Sequence, residues 1–159
     1  MADVRLIEID EDNWLEAAQL QIRPEQQRFV APAVGILARA YAMRASHARV
    51  WGVEAEGTLV GLVMVRELAQ EPACYELQQV LIGVQHQNRG HAQAAIRQAL
   101  ELLRSEGRYD KVELCVHRED AAALHVYQKL GFADTGYVDP DLPECLCLVY
   151  RFAGRSGDA

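Results

Sequence analysis

The stretch from Tyr75 to Val116 constrains the fold more than any other part of the chain. Tyr75 to Gly83 and Lys111 to Val116 are both β-rich. Between them Ala92, Ala95, Ile96, Ala99, Leu100 and Leu103 recur at helical spacing, opposite Gln93, Arg97, Glu101 and Arg104. That pattern is the apolar face of one long helix. A strand, a helix and a strand in that order set the two strands parallel through a crossover. The runs on either side of Glu56-Gly57, from Arg49 and up to Leu68, instead carry a hairpin signal and pair antiparallel. A chain that contains both must build a mixed sheet.

The other elements follow from local chemistry. Val4 to Ile9 reads as a short strand, and Asp10 to Asn13 offers N-cap side chains to a first helix with Trp14, Leu15, Ala18 and Leu20 that stops near Pro24. A second helix follows Pro32. After a break at Pro72 come the strand–helix–strand unit, a helix from Asp120 to Leu130 that ends at Gly131, and two closing strands over Phe132–Val138 and Glu144–Phe152. The order β-α-α-β-β-β-α-β-α-β-β predicts an α/β (α+β) fold: a mostly antiparallel mixed sheet of about seven strands flanked by about four helices. Residues 1–152 are expected to form a single domain, with 153–159 as a loose C-terminal tail.

Composition narrows the function. With 159 residues, 50% of them apolar and 25% charged, the chain suits one globular domain and not a disordered segment. No apolar run approaches the roughly 18 residues of a membrane span. Lys and Arg number 16 against 23 Asp and Glu, and the resulting charge of −7 disfavours nucleic acid and favours small cations. Met1 to Arg5 lacks a signal-peptide pattern, so a cytoplasmic location is expected. Cys74, Cys115, Cys145 and Cys147 contain no C-x-x-C pair and read as buried thiols, and the scattered histidines give no metal-ligand spacing, so no metal is expected.

Two segments carry candidate chemistry. Gln87-Asn88-Arg89-Gly90-His91-Ala92 joins a strand to the long helix and puts small residues where free N–H groups meet the positive end of the helix dipole. Such a turn suits a pyrophosphate, although a small-residue helix start also occurs for packing alone. It is neither G-x-G-x-x-G nor a Walker loop. In the second segment Asp120 is an N-cap, Ala123, Leu124, Tyr127 and Leu130 form an apolar stripe, and Gly131 is the left-handed exit. Read locally, Tyr127 is a core tyrosine with its hydroxyl at the rim.

Together the two segments resemble the GNAT acetyltransferase superfamily. Its Gln/Arg-x-x-Gly-x-Gly/Ala motif is matched by Gln87, Gly90 and Ala92, and its A-x-x-x-Y-x-K-x-G-F block by Ala123, Tyr127, Lys129, Gly131 and Phe132. Gln27-Arg28-Phe29-Val30-Ala31-Pro32 is similar to the bacterial spermine/spermidine acetyltransferase branch. The resemblance implies acetyl-CoA as donor, with the fourth strand splayed from the fifth and the pantetheine arm against Val80, Leu81 and Ile82. It further implies a pyrophosphate on Gln87 to Ala92, including Asn88, Arg89 and His91, and Tyr127 facing the sulfur. Asp120 and Lys129 fall at family cofactor positions. Asp120 lacks the amide of the frequent Asn, and Lys129 reaches either a phosphate or solvent.

The implied reaction is direct attack by a primary amine of a small cationic acceptor, with a polyamine as one candidate and a protein or antibiotic amine as others. An alkylamine has a pKa of about 10, so its proton needs a way out. The acid many relatives carry on the fourth strand is replaced by Gln78. Glu76, on the same face, is either a base acting through water or a surface carboxylate. The missing acid also motivates a second reading, a CoA-binding module with little catalysis. A homodimer through the apolar closing strands is a further expectation.

Overall fold

Glu56 and Gly57 both adopt left-handed backbone angles, with φ of 49° and 79°, which gives a tight turn whose twist matches a hairpin. This turn joins β2 (Arg49–Ala55) to β3 (Thr58–Leu68). The computed structural model describes residues 3–70 and 73–153. The break expected at Pro72, and the tail expected beyond Ala153, lie outside the described residues. The remaining strands are β1 (Arg5–Glu8), β4 (Cys74–Ile82), β5 (Lys111–His117), β6 (Ala133–Asp134) and β7 (Cys145–Arg151). The helices are α1 (Trp14–Ala18), α2 (Ala33–Ala42), α3 (His91–Glu106) and α4 (Ala121–Leu130). Among the described residues no helix is long and apolar enough to cross a membrane.

All seven strands form one sheet in the order β1-β2-β3-β4-β5-β7-β6. Every neighbouring pair is antiparallel except β4 and β5, which lie parallel on either side of the α3 crossover. The mixed sheet read from the sequence is the one observed. Helices cover both faces of its centre, which explains the nearly unbroken apolar run of β3. Val60, Val63 and Val65 pack with Ile96, Ala99 and Leu103 of α3. Leu62 and Met64 pack on the opposite face with Ala17 of α1 and Ile36 of α2.

The β3–β4 ladder slips at one point. Met64 is opposite Gln79 while Val65 is opposite Leu77, so Gln78 is an extra, bulged residue. The β4–β5 ladder holds only Tyr75↔Val112 and Glu76↔Glu113. Beyond Glu76 the strands diverge, and the expected splay between the fourth and fifth strands is present.

Three expectations fail. The first helix, expected to include Leu20 and stop near Pro24, ends at Ala18, where the Leu20 N–H turns back to Ala17 O at 3.2 Å. The strand expected over Phe132–Val138 is reduced to Ala133–Asp134. Beyond it, Gly136 N–H donates to Asp134 Oδ1 at 2.8 Å and Tyr137 N–H to Thr135 Oγ1 at 3.1 Å, so side chains take the hydrogen bonds a ladder would need. The cysteines are not uniformly buried: Cys74 is, but Cys115 is exposed and Cys145 and Cys147 are half-buried. Their side chains point to the sheet face that α1 and α2 cover over β2 and β3 but leave open over β5 and β7.

Candidate active site

The loop between β4 and α3 is built from left-handed turns. Asn88 has φ of 63° and Gly90 φ of 79°. Asparagine tolerates that conformation better than most side chains. Gln87 pins the loop: its Nε2 donates to Ile82 O at 2.9 Å and to Gln26 Oε1 at 2.9 Å. Gly90 is the N-cap of α3 and offers no side chain to it. The first-turn N–H groups therefore have no intrahelical acceptor and stand at the positive end of a long helix. His91 is the first residue of that helix. Its Nδ1 is the one buried side-chain polar atom without a partner among the described residues. Burial, helped by Arg89 and His86, lowers its pKa and keeps the ring neutral.

A cleft of about 360 Å³ opens beside β4 where it has left β5, walled by β4, α3, α4 and the segment before α2. The sequence-predicted residues Val80, Leu81, Ile82, Gln87, Asn88, Gly90, His91, Ala92, Asp120 and Tyr127 all contribute to its wall. Arg89 and Lys129 face instead an adjoining broad groove of about 830 Å³, whose wall also includes Gly90 and His91. Asp120 caps α4 by accepting from Ala123 N–H at 3.2 Å. Tyr127, one turn further on, packs edge-on against Phe132 with ring centroids 5.5 Å apart. Burial first, and the nearby Asp120 charge second, hold its phenol well above the ordinary value, so it carries its proton at any working pH.

Glu76 is placed apart from this wall. Its carboxylate accepts from Arg66 Nε at 2.8 Å and from Gln78 Nε2 at 3.0 Å. The chain of amides continues: Gln79 Nε2 donates to Gln78 Oε1 at 3.0 Å, and Ala31 N–H donates to Gln79 Oε1 at 3.0 Å. Arg39 of α2 also donates to Gln78, at 3.2 Å. The bulge at Gln78 thus turns two consecutive glutamines toward the α2 side and ties them to it.

The segment between α1 and α2 contributes Gln26, not singled out from the sequence, beside Phe29 and Val30 of the stretch that carries the resemblance to the spermine/spermidine branch. Gln26, Phe29 and Val30 line the cleft. Phe29 packs on His117 with centroids 5.1 Å apart, and Arg28 pairs with Glu119 at 2.6 Å, so the segment reaches across to the end of β5. Only Pro24, which starts a 3-10 turn ending at Gln26, hinted at an ordered turn here.

Comparison with known proteins agrees with this geometry. Residues 6–132 match the model of the Acetyltransferase (GNAT) family. The chain is 30% identical over 95 residues to N-acetyltransferase family 8 member 2 of Rattus norvegicus, covering 58% of this chain and 42% of that protein. It is 31% identical over 85 residues to spermidine N(1)-acetyltransferase of Vibrio cholerae, covering 54% of this chain and 49% of that one. The chain spans less than half the length of these curated relatives. The crystal structure of a spermidine N-acetyltransferase from Vibrio cholerae in complex with CoA and spermine superposes with a TM-score of 0.74, at 20% identity over 93% of this chain and 95% of that one. At that identity the likeness speaks for the fold.

Proposed function

Because the chain belongs to the GNAT acetyltransferase family, we propose that it transfers the acetyl group of acetyl-CoA to a primary amine of a small cationic acceptor by direct attack. The observation that carries this reading is the ending of the β4–β5 ladder at Glu76↔Glu113, beside a helix start with free N–H groups. Strand edges do not stay unpaired without a reason. A pantetheine arm has the amide groups to pair with the β4 edge at Val80 to Ile82, and a diphosphate has the charge for the α3 terminus. The orphaned Nδ1 of His91 fits the same ligand, as a hydrogen-bond partner to a phosphate oxygen.

In this reading a β4 N–H polarises the thioester carbonyl and stabilises the negative charge that develops there. Tyr127, kept protonated by its surroundings, donates to the departing sulfur. The amine proton needs another route. Gln78 cannot accept it, and Glu76 is already engaged by Arg66 and Gln78, so water carries the proton from the cleft with Glu76 at most a distant acceptor. Arg89 and Lys129 serve the outer, phosphate-bearing end of the cofactor along the groove they line. No metal has a part in this scheme.

A polyamine is the acceptor we favour. It is supported by the likeness to spermidine N(1)-acetyltransferase and by the net charge of −7. Half-buried Asp139 and exposed Asp141 and Glu144 beside β7 add local negative potential for a polycation. The reading includes a cytoplasmic location and a homodimer through β7, which is flanked on its outer side by only the two-residue β6. The engagement of Glu76 and Gln78 favours one competing reading, a CoA-binding module without turnover. A CoA-release assay with spermidine, spermine, aminoglycosides and amino-terminal peptides separates the two. Turnover with polyamines is expected, and silence across the panel despite CoA binding would favour the module.

A further inference from the structure

β5 and β7 pair in continuous register from Lys111↔Arg151 to His117↔Cys145. The bonds that bracket the ladder, Arg118 N–H to Glu144 O and Phe152 N–H to Asp110 O, both 3.0 Å, show which positions exchange hydrogen bonds. They are the even-numbered residues of β5, so Cys115↔Cys147 is a non-hydrogen-bonded pair, the kind whose side chains stand closest. The two Sγ atoms are 3.5 Å apart. Cys115 is exposed and Cys147 half-buried, on a sheet face that none of the described helices covers there, so small reagents can reach them.

We propose that Cys115 and Cys147 form a modification site: a cross-strand dithiol that a low-molecular-weight disulfide converts to an intramolecular disulfide and that small thiols restore. One cysteine thiolate attacks a sulfur of the reagent RSSR, forming a mixed disulfide and releasing one RS⁻. The second thiolate attacks the cysteine sulfur of that mixed disulfide, forms the Cys115–Cys147 bond and releases the other RS⁻. The two thiols lose two electrons and two protons, and the reagent leaves as two RSH.

The backbone need not move. A non-hydrogen-bonded pair has Cα atoms about 4.5 Å apart, inside the range of about 4.4–6.8 Å that disulfides span, and side-chain rotation closes the remaining gap between the sulfurs. Cys145 is the other thiol on this face, but it follows the same strand as Cys147 two residues away, about 6.8 Å along it, at the far limit for a bond. Desolvation, with the Cys147 thiol contact next, pushes the Cys115 thiol up to about 12. Exchange at neutral pH is therefore slower than for a free thiol.

The bond would link positions 32 residues apart. The segment it closes contains α4 and with it Tyr127, and it fastens the β7 strand to the sheet. An oxidised chain should resist unfolding more than the reduced one. This inference does not depend on the acetyl-transfer reading.

The test uses the full chain, reduced and then incubated with oxidised glutathione, alkylated with iodoacetamide and digested without reductant for mass spectrometry. The expected product is a monomer lighter by two hydrogens, with a Cys115–Cys147 linked peptide that dithiothreitol removes and a melting temperature higher by about 5 °C. Cys115→Ser and Cys147→Ser should each lose the linked peptide, and Cys145→Ser should keep it. A stable glutathione adduct on Cys115, a link to Cys145, a link between two chains, or full alkylation of every cysteine would each overturn the proposal. The wild-type peptide map decides the matter even if a serine variant folds poorly.

Discussion

Gln26 and Gln87 exchange a reciprocal pair of side-chain hydrogen bonds, 2.9 Å from Gln87 Nε2 to Gln26 Oε1 and 3.1 Å in the other direction. Gln26 lies in the segment between α1 and α2, and Gln87 opens the loop that leads into α3. The pair therefore joins that segment to the turn that opens α3. Gln26→Ala should loosen that turn and weaken acetyl-CoA binding about tenfold, the equivalent of one or two modest hydrogen bonds. Calorimetric titration of the variant against the wild type checks this, and an unchanged affinity would show that the turn holds its shape alone.

Tyr127→Phe should lower turnover about 100-fold while acetyl-CoA affinity stays within about twofold. The ring and its packing on Phe132 are retained, so only the donor is removed. Steady-state kinetics with a measured cofactor affinity separates these effects. Unchanged turnover would remove Tyr127 from the chemistry.

His91 should titrate below the ordinary histidine value in the free chain, because burial, Arg89 and His86 all oppose its charge. A dianionic diphosphate at the α3 terminus reverses the balance, so the pKa should rise when acetyl-CoA binds. NMR titration of the ring protons reads both states. No upward movement would mean that the anion sits elsewhere.

Glu106, at the end of α3, accepts from Arg49 of β2 at 2.7 Å, and this bond is the main reason its pKa lies below the usual carboxylate range. A depressed folded-state pKa contributes stability above the unfolded value, and that contribution is lost as pH falls through the folded one. Glu106→Gln should therefore cost about 1 kcal/mol at neutral pH, kept small because both partners remain about a third exposed. The difference from wild type should fade as the medium becomes more acidic than the ordinary carboxylate range. Chemical denaturation at several pH values measures it.

Features written in one stretch of chain were legible in the sequence. The periodic face from Ala92 to Leu103 announced α3, and Glu56-Gly57 announced the hairpin, because both signals are local. The small-residue turn that opens α3 was legible for the same reason. What depended on distant partners was not. The bulge at Gln78 exists only relative to the register of β3. Glu76 read as either a base acting through water or a surface carboxylate, because Arg66, which holds it, lies across the ladder. Gln26 meets Gln87 across 61 residues, which no local pattern announces. The cysteines of β5 and β7 read as buried because strand periodicity says which face a side chain takes and not whether a helix covers that face.

The central claim is that the diverging edge of β4 and the start of α3 together receive the acylated coenzyme. A crystal structure of the chain grown with acetyl-CoA tests it most directly. The diphosphate should lie within hydrogen-bond reach of the N–H groups of residues 90–92, with the pantetheine arm alongside Val80 to Ile82. A coenzyme bound elsewhere, or a cleft closed by the chain's own side chains in the presence of saturating acetyl-CoA, would contradict it.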